Sequence, residues 1–178
     1  KSFCDNCEVK YNCPIQNWPE EINITKKTID VDLNLETNFG PESIKNNIDS
    51  KPEFVWMTAE SLGDNDPALN YHSNLPAVFI FDKPLLNYLQ LSTKRIIFLL
   101  DCLRELSNKR STQVYLDNPI EYLKNKNFAC TFAAVPKYKK ITRVNIPTSE
   151  FPSVRLVKPI NFYPSSYSSW KKRIELNI

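Results

Sequence analysis

A chain of 178 residues with 42% hydrophobic side chains is long enough to bury one core. It has no apolar run near the roughly 20 residues of a membrane helix, and its opening KSFCDNCEVK has no signal-peptide core, so an intracellular protein of a soluble compartment is expected. The formal charge of +3 is too mild to argue for nucleic acid. With only Gly40 and Gly63, neither a G-x-G-x-x-G turn nor a G-x-x-x-x-G-K loop can be written, and a single His72 removes most Ser-His and Cys-His nucleophile pairs and any zinc site needing two imidazoles.

Residues 1–50 read as a cysteine-containing extension, polar except for an alternating stretch from Ile29 to Leu35. Cys4, Cys7 and Cys13 form C-x2-C-x5-C-P, a spacing at which thiolates chelate one metal, zinc or the iron of an iron–sulfur cluster. Three ligands leave a closed tetrahedral site one short. The fourth would come from Cys102 or Cys130, which sit in apolar text, from a carboxylate, or from a partner. A disulfide with a free thiol, or no bond at all, is the rival reading.

From Glu53 short apolar runs alternate with helical or turn-like text: EFVWM, PAVFIFD, TQVYL, FACTFAAV and SVRLV. The alternation predicts an α/β domain over 51–160, a Rossmann-like open parallel sheet of about five strands flanked by helices. DNDP at 64–67 reads as a turn, a short Ala-Leu segment follows, and the apolar run after it reads as a buried parallel strand ending on Asp82. The clearest helix is STKRIIFLLDCLRELSNK, capped by Ser92, with Ile96, Leu99, Leu100, Leu103 and Leu106 facing the sheet. DNPIEYLKNK opens a second, capped by Asn118 with Pro119 in its first turn.

Asp82, at the carboxyl end of its strand, is placed to contact a ligand's hydroxyl or amino groups or to cap the turn into Lys83-Pro84. His72, in a polar turn, reads as a surface side chain, and Arg95 as a structural ion-pair partner. Basic residues from Lys137 to Arg143 and from Lys171 to Arg173, interleaved with Tyr138, Tyr167 and Trp170, are the ingredients of a nucleic-acid surface or of a solvated basic face.

Four segments in register, VWMTAESLGDNDPAL, LPAVFIFDKPLL, KRIIFLLDCLREL and VYLDNPIEYL, resemble the N-terminal α/β domain of DNA photolyases and cryptochromes. NFYPSSYSSWKKRI resembles that family's segment leading to its FAD-binding helical domain, and 161–178 is expected to be a linker or docking segment. The resemblance implies an α/β subunit that is not catalytic by itself and works with a separate FAD-binding helical partner. The alternative is a non-enzymatic structural or accessory subunit of a larger complex. The resemblance also implies an antenna chromophore of folate or flavin type, with Asp82 and Tyr138 as its contacts. The family's arginine loop falls on Thr58, Ala59 and Leu62, and its chromophore segment is replaced by AAVPKYKK, where Tyr138 alone matches.

Overall fold

The computed structural model describes Tyr11 and residues 39–89, 91–158 and 166–174. Cys4, Cys7, Cys13 and the alternating stretch from Ile29 to Leu35 lie outside these residues. In chain order the elements are β1 (Lys45–Asn46), β2 (Phe54–Met57), a 3₁₀ turn (Ala59–Ser61), α1 (Pro67–Tyr71) and β3 (Ala77–Asp82). There follow α2 (Lys83–Leu89), α3 (Thr93–Ser107), β4 (Thr112–Asp117), α4 (Pro119–Leu123), β5 (Phe128–Thr131), α5 (Pro136–Val144), β6 (Ser149–Phe151) and α6 (Tyr167–Lys171).

These strands form one six-stranded sheet in the order β1-β6-β5-β2-β3-β4. The five strands β2 to β6 are parallel, and β1 joins the β6 edge antiparallel with Lys45 opposite Glu150. The sheet therefore recruits residues that precede position 51. The α/β class read from the sequence is the observed class, and the strand order is that of a doubly wound sheet.

Each face carries its own core. Trp56, Ile80, Phe128 and Cys130 meet Leu123 of α4 and Tyr138 and Ile141 of α5 on one face. Val55, Met57, Phe79 and Ala129 meet Ala68 and Leu69 of α1 and Leu103 and Leu106 of α3 on the other. The near-continuous apolar text of β2, β3 and β5 follows, because strands covered on both faces have no polar side to show. Since α1 leaves β2 on one face and α5 leaves β5 on the opposite face, the strand order reverses between β2 and β5, and their carboxyl ends flank the switch point.

Local chemistry starts the helices. Asp66 accepts the Leu69 N–H at 2.8 Å ahead of Pro67, and Asn118 accepts the Ile120 N–H at 3.0 Å ahead of Pro119. Ser92 precedes α3 as expected, although its hydroxyl makes no capping bond.

Three expectations are corrected. The last strand is SEF at 149–151, not SVRLV: Pro152 supplies no N–H to a ladder, and beyond it Val154 and Leu156 are exposed. Leu100, read as core-facing, is 46% exposed, because α3 seats only Leu103 and Leu106 fully while Ile97 and Phe98 stand out beside it. His72 is not a plain surface side chain, since its ring lies 4.9 Å from Tyr71 and 5.6 Å from Phe151 and its Nε2 is buried without a partner. Burial and the nearby Arg110 charge hold its pKa below the usual imidazole value.

Candidate functional site: the carboxyl edge of the sheet

A cleft of about 530 Å³ opens where β2 and β3 end, between α2, α3 and the start of α5. Its walls are apolar: Trp56 and Phe81 from the strands, Leu85 and Leu89 from α2, Phe98 and Leu99 from α3, and Ile141 from α5. Such walls with few polar groups at the rim are the usual form of a small-molecule site. The rim groups are Thr58, Glu60, Asp82, Arg95 and Lys137.

Asp82 caps the turn, one of the two roles its position allowed, and also pairs with a side chain of the protein. Its Oδ1 accepts the Leu85 N–H at 3.0 Å, which caps the start of α2, while Oδ2 stands 3.3 Å from the Lys137 ammonium. Because Lys137 is 39% exposed and Asp82 only 15%, the pair ties α5 to the end of β3 as a partly screened bridge. Arg95 lines the same cleft, is exposed and makes no ion pair among the described residues.

Tyr138 also reaches this cleft, but as a wall. Its ring lies parallel to the Trp56 indole at 5.7 Å, and its hydroxyl donates to Glu150 Oε1 at 2.6 Å. Cys130 Sγ lies 3.2 Å from the same hydroxyl. Burial pushes the Tyr138 phenol and the Cys130 thiol up, so both stay neutral near pH 7. The Cys130 thiol is held within the sheet core. Among the described residues no group of three or more His, Cys, Asp or Glu is arranged to hold a metal ion.

A second cleft of about 270 Å³ lies on the other side of the 3₁₀ turn, and Glu60 borders both. Asp66, Ser61 and Thr131 contribute its polar lining, with Phe132 and Val154 as apolar wall. Desolvation raises the Asp66 carboxyl above the ordinary range, and the Leu69 N–H and the nearby Thr131 and Ser61 hydroxyls offset part of the rise.

Of the residues singled out in the sequence, Asp82, Arg95 and Tyr138 are brought together at one cleft, and His72 is not. Lys137 and Phe98 were read as parts of a basic run and of a helix. Their membership in the site depends on α3 and α5 meeting across the strand ends, for which the sequence carries no local signal. The fold and cleft define a doubly wound α/β protein with a ligand-sized opening at the carboxyl edge of its sheet. No family model, no curated protein and no solved structure matches the chain. Among the described residues no helix is long and apolar enough to cross a membrane.

Proposed function

We propose that this chain is the α/β subunit of a photolyase- or cryptochrome-like flavoprotein, a ligand-carrying part that acts with a separate FAD-binding helical partner and is not catalytic by itself. The observation that carries the reading is the cleft of about 530 Å³ at the carboxyl ends of β2 and β3. Its apolar and aromatic walls suit a planar ring system, and Arg95 and Lys137 at the rim suit an anionic tail, the two parts of a folate- or flavin-type chromophore. Asp82 then acts through Lys137, and Tyr138 supports Trp56 in the wall.

Titration of the purified chain with FMN and with folic acid, read by ligand fluorescence and tryptophan quenching, tests the binding half. Saturable binding weakened about tenfold in Lys137→Ala or Arg95→Ala is expected, on the scale of one charge-assisted contact. Absence of binding by either compound up to millimolar concentration overturns it. Size-exclusion of the chain mixed with a helical FAD-binding partner, or co-purification from the native source, tests the partner half, and strictly monomeric behaviour in both counts against it.

One observation favours a second reading, an accessory structural subunit: Ile97, Phe98, Val114 and Leu116 are exposed on α3 and the edge strand β4. The metal or iron–sulfur site of that reading rests on Cys4, Cys7 and Cys13, and metal analysis with an absorption spectrum of the purified protein tests it.

A further inference from the structure

The second cleft contains a polar group without a role in the first. Asp66 is only 6% exposed, and its Oδ2 is buried without a hydrogen-bond partner, although its Oδ1 is satisfied by Leu69. A buried carboxylate oxygen left bare costs the full desolvation of that atom unless something donates to it. The end of α1 is closed by the Asp66 side chain itself, so the unsatisfied feature of this cleft is an acceptor.

The surroundings narrow the donor. Thr131 Oγ1 already accepts the Ala68 N–H at 3.2 Å, which leaves its own O–H to donate. A ligand hydroxyl can donate to Asp66 Oδ2 and accept from Thr131, whereas an ammonium can only donate and adds the cost of burying a second charge. Phe132 and Val154 supply apolar wall for the C–H face of a sugar or polyol. The cleft sits beside the end of β5 at the switch point, where doubly wound sheets bind their ligands.

We infer that the cleft at Asp66 and Thr131 binds the hydroxyl-bearing portion, sugar or polyol, of a ligand whose ring system occupies the larger cleft across Glu60. The inference rests on the reading of the larger cleft as a ring site, since one ligand spans both. Two matched pairs of probes differ in the hydroxyl-bearing portion: riboflavin with lumiflavin, which lacks the ribityl chain, and adenosine with 2′,3′-dideoxyadenosine, which lacks two ribose hydroxyls. A polyol chain and a ribose are the two sources of the chemistry, and the pairs distinguish them.

The expected result is a Kd about tenfold lower for the hydroxyl-bearing member of at least one pair, lost in Asp66→Asn, while lumiflavin binds the variant as it binds the native protein. Asn keeps the cap, so the variant folds; equal melting temperatures verify this. Lumiflavin needs only the larger cleft. If it binds and neither hydroxyl-bearing member gains, Oδ2 is met by water alone and this inference falls while the ring site stands. An advantage that persists unchanged in Asp66→Asn also overturns it. If no probe binds, the ring site falls and this inference falls with it.

Discussion

Single atoms decide two properties of the chain. At Asp66 one carboxylate oxygen caps α1 and the other is buried bare, so the residue helps its helix and carries a desolvation cost at once. Asp66→Ala is expected to lose about 1 kcal/mol through the cap, whereas Asp66→Asn keeps the cap and removes the buried charge, leaving stability at pH 7 equal or higher. The sign of the pH dependence follows from the direction of the shift. With the folded carboxyl raised, the folded state binds more protons than the unfolded chain between the ordinary carboxylate value and the raised one, so Asp66 makes stability fall as pH rises through that window. Urea melts at stepped pH should show this slope in the native protein and a flatter one in Asp66→Asn. Gly40 is the second case: its φ of +79° is one that L side chains rarely adopt, and a Cβ there would run into the Phe132 ring. Gly40→Ala should cost about 1–3 kcal/mol, measured by thermal or urea unfolding.

At the scale of elements, one side chain joins three of them. Arg110, just past α3, donates to the carbonyl oxygens of Leu69 at 3.0 Å, His72 at 2.7 Å, Ser73 at 3.3 Å and Leu75 at 2.6 Å. It thereby holds the end of α1 and the approach to β3 against the start of β4. The flat, multiply donating guanidinium suits this task in a way an ammonium does not. Arg110→Met should destabilise the fold by about 2–3 kcal/mol, and Arg110→Lys should recover little of it, both read from denaturant midpoints. The aromatic wall behind the larger cleft is another joint of elements, since Trp56 of β2, Phe128 of β5 and Tyr138 of α5 meet there in parallel and edge-on pairs.

For the whole molecule, the consequence lies in how unevenly the sheet is covered. Its centre is covered on both faces, but β4 is an edge strand with Val114 and Leu116 exposed and α3 only partly seated over it. Exposed apolar edges invite pairing with another chain. Leu116→Lys should reduce concentration-dependent self-association in light scattering while shifting folding stability by no more than about 0.5 kcal/mol, because the residue it replaces contributes little to the core. If self-association is absent from the native protein at high concentration, the uneven cover has no cost for the isolated chain.

What the sequence determined by itself is the class of fold and the places where its elements start. Alternating apolar runs and capped helical stretches name an α/β sheet, and Asn118-Pro119 places a helix start because capping is a contact of neighbours along the chain; Asp66-Pro67, read as a turn, starts a helix as well. The tertiary structure alone decided the rest. SVRLV reads as a strand, yet SEF became β6 because β5 pairs with it, Thr131 opposite Phe151, a pairing between segments apart along the chain. Leu100 repeats at helical spacing with Leu103, yet how far along its length α3 is covered depends on the edge beneath it. The clefts follow the same rule: Asp82 and Tyr138 were visible as residue types at strand and helix ends, but their union with Lys137, Phe98 and Arg95 exists only because parallel strands bring their carboxyl ends to one side. Burial of Asp66 Oδ2 is likewise invisible in the tetrapeptide DNDP, since desolvation is a property of everything packed around an atom and not of its neighbours in the chain.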